Sequence, residues 1–230
     1  LKVVNVTDAT QLSYGAFYNC SMLEEINLNE GITSIGSKAF YYCSKLKKLE
    51  IPSSVSYLSS DLLYGCGSLE ELTIPFVGYS RTSTGSSGLF GYIFGSSSYT
   101  GSTYVTQYYS SSSAYGYYIP TSLQVVNVTD ATQLSYGAFY NCSNIVKVSL
   151  NEDVETIGSY AFFKCSDALI FIDKSIDDKI ENENAWNPGL CENKLVNNKI
   201  TFTNIPEGDY SFKITNGSWA TTYGYSSNFD

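Results

Sequence analysis

The sequence contains no histidine. That absence removes the commonest general base and the commonest transition-metal ligand, so Ser-His and Cys-His catalysis and most zinc sites are excluded before any motif is sought. Basic residues are scarce too: 13 Lys and Arg against 22 Asp and Glu give a net charge of −9. A surface of that sign repels phosphate backbones and anionic headgroups, which argues against nucleic acid as a partner. No apolar run reaches the roughly eighteen residues of a membrane span, and the sequence contains no charged-then-apolar leader. Neither membrane insertion nor a signal peptide is expected, and the sequence reads as an excerpt or mature fragment. Its 230 residues, 43% of them hydrophobic, suffice for the core of one elongated domain.

What is present is repetition. LKVVNVTDATQLSYGAFYNCS from Leu1 returns 122 residues later as LQVVNVTDATQLSYGAFYNCS from Leu123, changed only at the second position. A shorter period of 23 residues links LEEINLNEGITSIGSKAFYYCSK from Leu23 to LKKLEIPSSVSYLSSDLLYGCGS from Leu46. In the first of these units Leu23, Ile26, Leu28, Ile32, Ile35, Ala39, Phe40 and Cys43 are the apolar set. The second repeats it as Leu46, Leu49, Ile51, Val55, Leu58, Leu62, Leu63 and Cys66. Further copies begin at Leu69, Leu123 and Ile145. L-x-x-L-x-L puts alternate residues on one side of a short strand, and the remaining apolar positions bring the chain back to the same axis. One such coil cannot bury its own interior, so coils stack with strands about 4.8 Å apart, giving roughly 30 Å of solenoid for six or seven of them. Asn29-Glu30-Gly31, Pro52 and Pro75 supply corner chemistry directly after the strands.

The pattern I-x-L-(N/P)-x-x-(I/V)-x-x-I-G-x-x-A-F-x-x-C, carried nearly in full by Ile26 to Cys43 and Val148 to Cys165, resembles the BspA-type leucine-rich repeat family over about residues 1–172. The resemblance implies a right-handed, mainly β solenoid in a bacterial cell-surface or secreted protein that adheres to host matrix, neighbouring cells or polymers. It also implies no catalysis and no cofactor.

Cys20, Cys43, Cys66, Cys142 and Cys165 recur at one place in successive coils and read as buried, reduced thiols. Disulfides between adjacent coils are the alternative, disfavoured because parallel side chains fit poorly to the roughly 90° torsion of a disulfide. Neither a C-x-x-C pair nor a histidine points to a metal. Between Leu69 and Leu123 the regular spacing is broken by a Ser-, Gly- and Tyr-rich insertion at about 76–122. Leu89 to Phe94 and Thr103 to Tyr109 have strand composition, and Ala114 to Ile119 pairs as a hairpin partner across Ser110 to Ser113. The insertion is expected to project from the stack and to be dispensable for folding. Its tyrosines, Tyr92, Tyr104, Tyr108, Tyr109 and Tyr117 among them, offer flat amphipathic faces to a partner, or else cover the solenoid's flank. The duplication also raises the expectation of another such unit upstream.

After Cys165, ALIFIDKS makes a last strand, residues 173–198 read as linker or cap, and 199–230 as a β-hairpin or partial β-sandwich. EGDYSFKITNGSWATTYG resembles a stretch of glycogen-binding modules and of starch-binding modules attached to pullulanases. That resemblance implies an α-glucan platform at Trp219, with Tyr210, Tyr223 and Tyr225 beside it. Two functions therefore compete: adhesion to a host or neighbouring-cell protein, and capture of a polysaccharide such as starch or glycogen. Hydrolysis by pairs such as Asp153 and Glu155, or Asp177 and Asp178, is disfavoured because they sit on a corner and a polar linker with no facing cleft.

Overall fold

The computed structural model describes residues 2–165 and 168–172, together with the short strands Lys194–Val196, Lys199–Thr201, Asp209–Tyr210 and Tyr223–Gly224. The L-x-x-L-x-L segments form a seven-stranded, wholly parallel sheet from Val3–Asn5, Glu25–Asn27, Lys48–Glu50, Glu71–Ile74, Val125–Val128, Lys147–Leu150 and Leu169–Ile172. One strand per coil makes a mainly β solenoid of about seven turns. Alternation sends Val4, Ile26, Leu49, Leu72, Val126, Val148 and Ile170 inward, and all but Val4 are buried.

The opposite wall is built by A-F-x-x-C. Backbones at Gly15, Lys38, Asp61, Gly137 and Tyr160, one residue before Ala or its equivalent, lie at positive φ. So do Asn19, Tyr42, Gly65, Asn141 and Lys164, one residue before Cys. Two left-handed residues per coil turn the chain so that alternate N–H groups point along the axis. Phe17 N donates to Ala39 O at 2.8 Å, Asn19 N to Tyr41 O at 2.7 Å and Phe139 N to Ala161 O at 2.7 Å. A wall without strands thereby satisfies its backbone. The phenylalanines stack along the same axis, Phe17 on Phe40 at 5.7 Å and Phe139 on Phe162 at 5.4 Å. The glycine of I-G answers a close approach: a Cβ at Gly36 or Gly158 would lie 2.4 or 2.5 Å from the backbone nitrogen of Tyr14 or Tyr136.

The insertion departs from the expectation of a projecting, dispensable excursion. Its first part closes the fourth coil: Phe76, Phe90, Phe94 and Ile93 are buried in the same core as the repeats. Leu89 to Phe94, expected as a strand, contains the tight 3-10 turn Phe90–Ile93. There Phe90 takes the place of the repeat phenylalanine, 4.8 Å from Phe139, with its N–H on Ala138 O at 2.8 Å. The remainder is the expected antiparallel hairpin, Ser102–Tyr108 with Ala114–Pro120, which lies along the flank through buried Val105, Tyr117 and Ile119. Arg81, the sequence's sole arginine, fastens the break. Its Nε donates to Asp130 at 2.8 Å in the fifth coil and its terminal nitrogen to Ser53 O at 2.7 Å in the third, while the guanidinium lies 5.0 Å from the Phe76 ring.

Cys43, Cys66 and Cys165 are buried free thiols, each donating to the phenylalanine carbonyl of an adjacent coil: Phe17, Phe40 and Phe139 at 3.2, 3.2 and 2.9 Å. Burial pushes Cys43 and Cys165 up to about 12 and raises Cys66 and Cys142 as well. Cys20 departs from the buried expectation and is exposed: among the described residues no coil lies on its outer side. Cys191 lies outside the described residues. In native protein Cys43, Cys66, Cys142 and Cys165 are expected to resist a thiol reagent at pH 8 while Cys20 reacts, since burial both shields the four and raises their pKa; at about 12, as for Cys43 and Cys165, only about 0.01% is thiolate there. Peptide mapping after native alkylation checks this; labelling of all five at one rate would mean the column is open.

Candidate binding surface

The residue after Ala-Phe, or its equivalent, is Tyr18, Tyr41, Tyr64, Tyr140 or Phe163 in successive regular coils. Because the turns repeat in register, these rings are placed one above another at the spacing of the coils. Tyr18 and Tyr41 stack with centroids 5.2 Å apart and planes within 3°, Tyr41 and Tyr64 at 4.7 Å, and Tyr140 and Phe163 at 5.1 Å. Where the insertion interrupts the repeat it supplies its own rings to the column. Tyr99 meets Tyr64 at 5.0 Å, and Tyr108 meets Tyr140 at 5.0 Å. A second, shorter row runs from Tyr57 to Tyr79 at 6.1 Å and from Tyr79 to Tyr92 at 6.3 Å. Tyr14, Tyr18, Tyr42, Tyr57, Tyr79, Tyr104, Tyr108 and Tyr115 are exposed, a large aromatic display.

Polar groups punctuate this flank. Asp61 sits half-buried at the left-handed position before Leu62, and burial holds its carboxyl above the ordinary carboxylate range, against the opposing pull of Lys38. Lys38 Nζ lies 5.2 Å from the Tyr41 centroid. Burial pushes the Tyr64 phenol up to about 12, and its hydroxyl donates to Ser98 O at 3.0 Å. The rings are thus fixed by stacking and bordered by Asp61, by Lys38 and by Lys164, whose Nζ lies 5.8 Å from the Phe163 centroid. That is the chemistry of a surface that binds through flat apolar faces with few, directional polar contacts.

The outer sheet face differs. Its charges pair among themselves: Lys2 with Glu24, Lys47 with Glu70 and Lys48 with Glu71, each at 3.0 Å. Asn27 donates to Asn5 at 2.8 Å and to Glu25 at 3.0 Å. Such pairs are solvated and contribute little to stability.

The tyrosines singled out from the insertion separate into different roles. Tyr104 and Tyr108 are exposed at 59% and 36%, Tyr92 and Tyr109 are half-buried, and Tyr92 bonds to Ser60. Tyr117 is a correction: it is 4% exposed, with its hydroxyl donating to Ser86 O at 2.8 Å and its ring against Gly91, so it packs between the hairpin and the 3-10 segment and offers no face to a partner. Tyr210 and Tyr223 are register partners in an antiparallel pair of two-residue strands. Lys194–Val196 pairs antiparallel with Lys199–Thr201, across the boundary expected at 198. Trp219 and Tyr225 lie outside the described residues. The column of Tyr18, Tyr41, Tyr64 and Tyr140 is missed by a reading that seeks function in the irregular segment. Its signal was an aromatic following the Ala-Phe position in every regular coil.

A family model for the BspA type leucine rich repeat region, in six copies, matches residues 10–107 and 111–216. The solenoid of that family is typically a non-enzymatic binding scaffold, and the match indicates no catalytic family. Among solved structures, the chain is similar to a leucine-rich repeat protein from Bacteroides ovatus at 21% identity and a TM-score of 0.43, covering 74% of this chain and 36% of that one. It is also similar to the T. pallidum leucine rich repeat protein, at 17% identity and a TM-score of 0.36, covering 73% and 78%. The pneumococcal vaccine antigen PcpA matches at 17% identity and a TM-score of 0.34, covering 75% and 40%. The chain therefore spans about a third of the Bacteroides ovatus protein's length. No curated protein matches. Among the described residues no helix is long and apolar enough to cross a membrane.

Proposed function

The chain belongs to the BspA type leucine-rich repeat family, and from that premise we propose that it is a binding and adhesion module of a larger bacterial protein, displayed at the cell surface or secreted. The stacked tyrosine flank is its contact surface and a host or neighbouring-cell protein its partner. The observation that supports this reading is the continuation of the repeat's aromatic column by Tyr99 and Tyr108 of the insertion. Rings already ordered by their neighbours lose little side-chain freedom on binding, and large aromatic anchors dominate protein interfaces. The acidic balance, 22 Asp and Glu against 13 Lys and Arg, favours a partner with basic groups near the rim.

Immobilised matrix proteins and amylopectin, tested in parallel against the parent and against Tyr18→Ala and Tyr104→Ala, decide the matter. Each substitution is expected to weaken protein binding by about 1–2 kcal/mol, roughly 5- to 30-fold, with Tm unchanged because both rings are largely exposed. Retention in amylopectin gels that disappears in Trp219→Ala, with protein binding absent, would put α-glucan capture in place of adhesion. Full binding by the Tyr18, Tyr104 double variant would remove the flank from consideration.

A further inference from the structure

We propose that the face presented by residues 2–22 is a docking surface for a polypeptide unit built like residues 69–122, joined ahead of it in tandem in the same polypeptide. Residues 1–21 and 123–143 are the same sequence apart from Lys2 against Gln124, so the interface made by the second copy shows what the first is shaped to receive. In the second copy Val125–Val128 pairs with Glu71–Ile74. Asp130 takes Arg81, Ser135 Oγ donates to Gly88 O at 2.8 Å, and Phe139 lies against Phe90 at 4.8 Å. Tyr140 meets Tyr108, and Gln107 donates to the Ala138 and Tyr140 carbonyls and to the Cys142 sulfur at 3.3, 3.2 and 3.4 Å.

Each receiving group recurs in the first copy as Val3 to Val6, Asp8, Ser13, Ala16, Phe17, Tyr18 and Cys20. Ala138, Phe139, Val126 and Cys142 are buried, whereas Ala16 and Cys20 are exposed and Phe17 and Val4 half-exposed. The repetition extends to residues that, in the second copy, meet the insertion and not a regular strand. Coils that follow an ordinary coil differ at the first of these positions, with Glu30, Ser53 and Glu152 where the first copy has Asp8; at that of Ser13 the second and sixth coils have Gly36 and Gly158, while the third keeps a serine, Ser59. A second free copy of this chain is a poor occupant, because its own residues 123–144 already cover the complementary face of its 69–122.

The test is a tandem protein in which residues 23–122 are repeated ahead of Leu1, reproducing the Ser122–Leu123 junction. The rate of Cys20 modification by a thiol reagent is expected to fall by about 100-fold or more relative to the parent, as for a thiol moved from surface to core. Gln107→Ala confined to the added copy is expected to restore much of that rate, with the tandem still folded by circular dichroism. The proposal is overturned if Cys20 in the folded tandem reacts at the parent's rate. It is equally overturned if an added copy of residues 23–68 alone protects Cys20 as well, or if the parent protects itself with rising concentration. Cys43, Cys66, Cys142 and Cys165 report the fold in the same experiment, and a tandem in which they lose protection also counts against it.

Discussion

Replacing residues 76–122 by a short turn is expected to abolish the cooperative thermal transition, and Phe90→Ala alone to cost about 3–5 kcal/mol. Phe76, Phe90 and Phe94 are each 0–1% exposed, and they fill the core between the third and fifth coils. At roughly 3–5 kcal/mol for each buried phenylalanine lost, the sum approaches the whole 5–15 kcal/mol that holds a typical domain together, even after discounting non-additivity. Backbone loss adds to this, since Leu63 N donates to Ile93 O at 2.9 Å and Leu58 N to Tyr79 O at 2.8 Å. Circular dichroism melts of the deletion and of Phe90→Ala check the expectation. A deletion protein that still melts sharply within a few degrees of the parent would show that the outer coils close on each other unaided.

The same residues mark where sequence reading succeeds and where it stops. Ile26, Leu28, Ile32, Ile35, Ala39, Phe40 and Cys43 are spaced by local geometry, so each falls on the interior wall that its spacing implies, and the parallel sheet follows. Phe90 occupies the same structural position as Phe40 but arrives late in its coil, after a polar detour through Ser80 to Gly88, and without the closing cysteine. Its register is set by Ala138 O in the next coil, a contact that no periodicity along the chain reveals. Cys20 misled for a related reason: position in the repeat fixes which way a side chain points, while burial depends on what lies beyond it.

The aromatic column is legible in the sequence as an aromatic after each Ala-Phe position, but its exposure is not, because stacking exposes one edge of every ring while packing its faces. Tyr41 illustrates the point: it lies between Tyr18 and Tyr64 at 5.2 and 4.7 Å and remains half-exposed. A partner therefore meets a strip of ring edges and end faces whose positions are set by coil spacing. Such a surface is rigid in a way that a projecting loop is not, and the insertion matters to it chiefly by carrying rings across the break in the repeat.

Gln107 holds that bridge, and its substitution is the second large effect expected. It is 0% exposed; its Oε1 accepts the Gly91 N–H at 2.7 Å, and its Nε2 donates to Ala138 O, Tyr140 O and Cys142 Sγ. Gly91 is itself required there, since a Cβ would fall 2.4 Å from the Tyr117 ring. Gln107→Ala leaves the buried Gly91 N–H without its acceptor and the Tyr140 carbonyl without this donor, while Ala138 O keeps the Phe90 N–H, and it opens a cavity, a loss of about 2–4 kcal/mol. Cys142 should then react with thiol reagents. Gln107→Glu provides the sharper reading, because a carboxylate still accepts from Gly91 but points its other oxygen at two carbonyls, and only the protonated acid can donate there. Burial and those carbonyls raise the folded pKa above the unfolded value of about 4.3, so the stability of this variant is fullest below that pH and is lost as pH rises through the folded pKa. Its Tm deficit relative to the parent should therefore narrow at pH 4 and widen at pH 7, and a pH-independent deficit would mean that the amide's donor does not matter. Loss of the Tyr108–Tyr140 contact should follow in the same variant, weakening partner binding at pH 7 more than at pH 4 while leaving the column from Tyr18 to Tyr64 in place.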